Sequence, residues 1–184
     1  MPLGRFGKNM NLKQNKTLIS IWLLPVKKES EVLARLIRKL SEKYNAQLFE
    51  PHMTIYAVEL PDKAIFQIKQ EIARIAKVLK PLKLAVSRIN YEESFFKSFF
   101  LDLEKSDASL NLYQKFQQLL VDFGDYSFNP HLSLLYKNIG VNEKKKVAEE
   151  IGYPKQLTFD RLAINVHDKN LAVSDVESWK VEIL

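Results

Sequence analysis

Two stretches of the chain nearly repeat each other: residues 51–56 read PHMTIY and residues 130–136 read PHLSLLY. Each holds one of only three histidines, His52 or His131, directly after a proline and two positions before a hydroxyl, Thr54 or Ser133. On a strand, residues i and i+2 share a face, so each imidazole stands beside its hydroxyl while Met53 and Ile55, or Leu132 and Leu134, turn to the apolar side. On a helix the same spacing would separate the pair by roughly 200°. Pro51 and Pro130 bias Glu50 and Asn129 toward extended backbone, in agreement with strands.

Imidazole titrates near pH 6.5, so a small difference in surroundings leaves one ring neutral and the other protonated. Such a pair can cleave a phosphodiester. The neutral ring takes a proton from water as it attacks phosphorus, and the protonated ring gives one to the leaving alkoxide. Thr54 and Ser133 would donate to the non-bridging oxygens, where transition-state charge is held. This scheme needs neither metal nor cofactor, and none is expected: neither histidine lies in an HxH or HExxH pattern or beside clustered carboxylates. There is no GxSxG nucleophile. The chain has no cysteine, which excludes disulfides, thiolate metal sites and cysteine nucleophiles.

The elements needed to hold these residues are legible in the pattern. TLISIWLLP, from Thr17 to Pro25, predicts a strand rich in β-branched and aromatic residues. Apolar positions Val32, Leu33, Leu36, Ile37 and Leu40 predict a helix over residues 29–44. A strand follows over 52–60, then a helix opened by Pro61 and Asp62 with Ile65, Ile68, Ile72, Ile75, Ala76 and Leu79 inward. Strands are predicted over 82–91 and 95–103, joined by a turn at Glu92-Glu93-Ser94. Ser106 or Asp107 caps a helix to Phe123, with Leu110, Tyr113, Phe116, Leu119 and Leu120 inward. A strand over 131–137, a short charged helix over 142–151 and a closing pair of strands, 157–167 and 174–183, complete the chain. Lys144-Lys145-Lys146 reads as a solvated helix face, and His167 as a turn or strand-end residue. The order is α+β, two similar lobes side by side.

At 184 residues, with 46% hydrophobic and 27% charged residues, the composition is that of an ordinary globular domain. The formal charge of +6 is concentrated at the start: Arg5, Lys8, Lys13 and Lys16 are accompanied by no acid. Residues 1–16 are therefore read as a basic flexible segment, and residues 17–184 as a single bilobal domain with a near-neutral surface. No apolar run is long enough to span a membrane. No membrane partner is expected, and a cytoplasmic monomer is.

Together, PHMTI and PHLSL resemble the paired HxT/S signatures of the 2H (two-histidine) phosphoesterase superfamily. With SIWLLP near the start, FEPHMTIY, PHLSLLY and the late Trp179, the chain from about Thr17 to Leu184 is similar to its cyclic phosphodiesterase-like branch. The resemblance implies two pseudo-symmetric lobes of antiparallel sheet with outer helices, each contributing one histidine strand to a central cleft. It implies metal-independent opening of a small-molecule cyclic phosphate, ADP-ribose 1″,2″-cyclic phosphate or a nucleoside 2′,3′-cyclic phosphate, to a monoester. His52 and His131 match its catalytic positions, and Thr54 and Ser133 its phosphate-binding ones. Tyr136 matches a tyrosine that approaches the phosphate, and Trp22 an aromatic at the cleft. Strict alternation sends Tyr136 away from the His131 face, so it reaches the site only through a twist or bulge. Trp22 reads equally well as strand core. In FFKSFF, Phe96 or Phe99 is a candidate to line the cleft.

Two other functions remain open at this level. The basic segment fits RNA-end processing, whether opening of a cyclic-phosphate end, 2′–5′ joining or 3′ trimming. A nucleotide-binding module without turnover is the third reading, against which stands the retention of both an acid and a base.

Overall fold

The computed structural model describes residues 15–184. The basic segment read over residues 1–16 falls, up to residue 14, outside the described residues, and Lys16 already belongs to the first strand. Two copies of a strand–helix–strand–helix–strand unit follow one another. The first is β1 (Lys16–Pro25), α1 (Lys27–Tyr44), β2 (Met53–Pro61), α2 (Asp62–Lys77) and β3 (Leu82–Asn90). The second is β4 (Phe99–Leu103), α3 (Asp107–Leu120), β5 (His131–Leu135), α4 (Val141–Glu150) and β6 (Gln156–Val166), and β7 (Lys180–Ile183) is appended to it.

All strand pairs are antiparallel, and the sheet order is β2-β1-β6-β3-β4-β5 with β7 on β6. Exchanging the two units reverses this order onto itself. Each unit's last strand has crossed over: β6 pairs with β1, and β3 pairs with β4. The two crossing strands pair with each other through Leu82–Ala85 and Gln156–Phe159. The sheet curls until its outer strands, β2 and β5, come into contact.

The helices cover the outer face, and they cross over too: α1 packs on β5 of the second unit, and α3 on β2 of the first. Leu33, Ile37 and Leu40 of α1 are buried at helical spacing, as are Leu112, Phe116 and Leu120 of α3. Leu110 and Leu119, expected on the inner face of α3, are only half-buried. Ser106 caps α3 in a reciprocal box with Ser109, the kind of cap whose removal costs ~1 kcal/mol. These side chains join one continuous core with the outward faces of both halves of the sheet. On the opposite, concave face lies a separate small cluster of Trp22, Leu24 and Ala163 with Trp179 against it. That face is the floor of the site.

Candidate active site

His52 precedes the first residue of β2, and His131 is the first residue of β5. Each ring bonds through Nδ1 to the carbonyl two residues back, His52 to Glu50 at 2.6 Å and His131 to Asn129 at 2.8 Å. A carbonyl only accepts, so both Nδ1 atoms carry a proton and Nε2 is the nitrogen left without one in each neutral ring. The acceptor is in each case the residue before the proline, whose extended conformation the proline favours. This is the local reason for the shared PH pair.

The two rings then diverge. His52 is 6% exposed and lies flat against Trp22, centroids 3.7 Å apart and planes 13° apart. Burial lowers its pKa to about 4, against the Glu50 carbonyl, with the nearby His131 and His167 lowering it further. His131 is half-buried and edge-on to Phe100 at 5.4 Å. Burial lowers its pKa as well, and the Asn129 carbonyl, Glu92 and Asp102 act to raise it while Lys97 lowers it. His52 is the more strongly depressed of the two.

Both histidine strands carry one extra residue at the same point. Along β2, Trp22 faces Thr54 and Ile21 faces Tyr56, leaving Ile55 unpaired with β1. Along β5, Phe100 faces Ser133 and Phe99 faces Leu135, leaving Leu134 unpaired with β4. A bulge shifts every later side chain to the other face. The cleft face therefore reads His52, Thr54, Ala57 on one side and His131, Ser133, Tyr136 on the other, and all six line the cleft. Tyr136 reaches the site by the bulge that strict alternation required. Its hydroxyl lies 3.5 Å from His52 Nε2, its ring stacks on Phe49 at 3.9 Å, and burial pushes its pKa up.

The cleft, of about 210 Å³, is completed by Leu18, Ser20, Trp22, Phe96, Tyr126, His167, Val173 and Trp179. Among the described residues, no lysine or arginine lines it. Trp22 proves to be both things the sequence allowed, 1% exposed and a wall of the cleft. Ser133 Oγ donates to the Phe96 carbonyl at 2.8 Å, so its single proton is already engaged. Among the described residues no group of three or more His, Asp or Glu is arranged to hold a metal ion, and no helix is long and apolar enough to cross a membrane.

Phe99 is a correction. The bulge pairs it with Leu135, and its ring sits fully buried in the main core, away from the cleft. Phe96 does line the cleft, from a single 3₁₀ turn, Phe95–Lys97, where a strand was expected. Lys144 is also not the solvated residue its run suggests. It is 1% exposed, with Nζ donating to the Glu92 carbonyl at 2.7 Å and Asn138 Oδ1 at 2.9 Å. The last strand is shorter than expected, because a segment over 167–179 ending in a 3₁₀ turn carries Trp179 onto the site. Sequence reasoning missed Ser20, Tyr126 and His167 as cleft residues. His167 does end its strand, but a lone histidine before Asp-Lys carries no signal that it faces inward.

The family described as cyclic phosphodiesterase-like protein matches residues 18–181. The chain belongs to this family. It is a phosphodiesterase, in keeping with its relatives. It is 25% identical to the cyclic phosphodiesterase of Arabidopsis thaliana, over 91% of each chain. It is 26% identical to the 2′,3′-cyclic-nucleotide 3′-phosphodiesterase of Phaeosphaeria nodorum, over 72% of this chain and 79% of that one. Among solved structures, Escherichia coli LigT complexed with 3′-AMP superposes with a TM-score of 0.56 at 11% identity, over 92% of this chain and 96% of that one. The chain thus shares the LigT fold.

Proposed function

We propose that the enzyme hydrolyses a nucleotide-derived cyclic phosphate to a monoester, with His52 as general base and His131 as general acid. One observation carries this reading: two histidines, anchored alike through Nδ1, present Nε2 from opposite halves to one cleft beside a hydroxyl each. The assignment of roles follows from their surroundings. The deeper-buried ring, whose pKa is lowered to about 4, favours the neutral form that a base requires, and its more exposed partner keeps a proton more readily. The reverse assignment would depend on a minor form.

Water attacks phosphorus and gives its proton to His52 Nε2, the bond from phosphorus to one ribose oxygen breaks, and that oxygen takes the proton of His131. Thr54 donates to a non-bridging oxygen, and Ser133 does so after turning its hydroxyl away from the Phe96 carbonyl. The Tyr136 hydroxyl, near His52 Nε2, is placed to hold the water or a phosphate oxygen.

The lining supports a nucleoside 2′,3′-cyclic phosphate over ADP-ribose 1″,2″-cyclic phosphate. An aromatic cleft whose described lining holds no lysine or arginine suits a base and ribose, and among the described residues offers a pyrophosphate no cationic partner. The relative named for 2′,3′-cyclic nucleotides points the same way. A panel of both small molecules and of RNA with a cyclic-phosphate end, with products resolved by phosphorus NMR, tests the reading. Nucleoside 2′,3′-cyclic phosphates are expected to be opened fastest, with no effect of EDTA. If cyclic-ended RNA is preferred and deletion of residues 1–16 weakens its binding in a salt-dependent way, the RNA-end reading replaces it. Binding with no product over long incubation would leave a binding module instead.

A further inference from the structure

One lysine is buried without lining the cleft. Lys144, Lys145 and Lys146 follow one another on α4, and only Lys144 turns inward, 1% exposed beside two exposed neighbours. A buried charge is costly unless its donors are satisfied. Nζ gives two of its three to the Glu92 carbonyl at 2.7 Å and Asn138 Oδ1 at 2.9 Å. Both acceptors are neutral, and burial lowers the pKa of the amine. The other half of the molecule shows that the fold does not demand a lysine here. His52 and His131 each stand ten residues before the first residue of the helix that follows. Lys144, fourth in α4, therefore corresponds to Ile65, fourth in α2, an apolar side chain packed on the main core.

The two groups that Lys144 joins are what set it apart. Glu92 lies in the linker over residues 91–98, which is folded on itself by Glu92 N–H donating to the Lys97 carbonyl at 2.8 Å. Between them is Phe96, whose ring lines the cleft and whose carbonyl accepts the Ser133 hydroxyl. Asn138 lies two residues after Tyr136, whose hydroxyl reaches toward His52. A second tie runs between the same segments, from Ser98 Oγ to the Lys137 carbonyl. Lys144 thus bonds both to the linker that holds the Ser133 proton and to the segment that carries Tyr136.

We propose that Lys144 is a positioning residue for the phosphate site, clamping the linker to the segment after β5 and so fixing Ser133 and Tyr136 relative to each other. The inference rests on the reading above in which these two hydroxyls face the phosphate.

The test uses Lys144→Met, which keeps the stem and removes the donors. An apolar residue then replaces a buried charge, so the urea midpoint is expected to stay at or above that of wild type. Affinity for inorganic phosphate, read from the shift of the His131 ring signals by NMR, is expected to fall at least fivefold. That constant does not depend on how much of a variant has folded, nor on which ester is the substrate. In a Ser133→Ala/Tyr136→Phe background, which lacks the hydroxyls to be positioned, Lys144→Met should cost less than twofold more. Phosphate affinity within twofold of wild type overturns the clamp, whatever the urea midpoint does. So does a fivefold loss that persists without the two hydroxyls, or a wild type that binds no phosphate. Should Lys144→Met fail to fold, Asn138→Ala breaks one arm of the clamp and is expected to weaken phosphate at least twofold; unchanged affinity there is equally fatal. If wild type turns over no cyclic phosphate, it is the reading of the substrate that fails, and phosphate affinity still judges Lys144.

Discussion

The two halves carry the same histidine and hydroxyl on the same bulged strand, and differ at the next cleft position, Ala57 in one and Tyr136 in the other. The difference acts across the cleft. Tyr136 reaches to His52, the histidine of the opposite half, and with Trp22 it closes that ring into the interior. His131, with Ala57 at the matching position of the other half, keeps a half-buried position among Lys97, Glu92 and Asp102. A symmetric frame thus yields two chemically unlike histidines through unlike neighbours. An acid and a base need that unlikeness.

The largest effects should come from the histidines themselves. His52→Ala and His131→Ala are each expected to lower kcat about 10³-fold, measured by product formation. A substrate whose leaving oxygen is replaced by sulfur needs no protonation of its leaving group. It should restore turnover to His131→Ala and not to His52→Ala; the opposite pattern would exchange the two roles.

The hydroxyls come next. Thr54→Ala should cost about 10²-fold in kcat, the typical loss for one transition-state donor. Ser133→Ala should cost less, since its proton first has to leave the Phe96 carbonyl. Equal losses would show that the two hydroxyls are equivalent in the transition state.

Tyr136→Ala makes the halves alike. It should raise the pKa of His52 from about 4 toward that of an ordinary imidazole as water reaches the ring, read by NMR titration. The acid limb of kcat/KM should move with it. An unmoved His52 would place the cause of its depression in Trp22 alone.

The smallest effect is on stability. The folded pKa of His52 lies below its unfolded value near 6.5, so the unfolded chain binds the proton first as pH falls. The contribution is fully present above pH 6.5 and is lost between there and about 4, at up to about 1.4 kcal/mol per pH unit. Urea midpoints should decline less steeply over that window in His52→Gln than in wild type, and less is expected of His131→Gln.

What the sequence disclosed and what it hid divide along physical lines. PHMTI and PHLSL were legible because i, i+2 spacing and the pre-proline residue act within a few residues. The lobes and their helices were legible from apolar periodicity. The bulges were not, because Ile55 and Leu134 are apolar and suit either face of the sheet. That is why resemblance brought Tyr136 to the site while alternation pointed it away, and why Phe99 was a candidate for a cleft it does not touch. Lys144 was misjudged, and the place of His167 in the cleft missed, for a related reason. Their burial depends on Glu92, Asn138 and Ser20, partners remote in the chain that no local pattern announces.

The crossing of β3 and β6 has one more consequence. A half-length chain of this design would end on a strand that finds its pairing partner only in a second chain, so it closes its sheet only as an intertwined twofold dimer. In such a dimer every cleft position is occupied twice by the same residue, and a tyrosine facing one histidine would face both. Joining the halves in one polypeptide is what lets Ala57 and Tyr136 differ, so the linker over residues 91–98 does more than connect. It permits two copies of one strand to hold different residues.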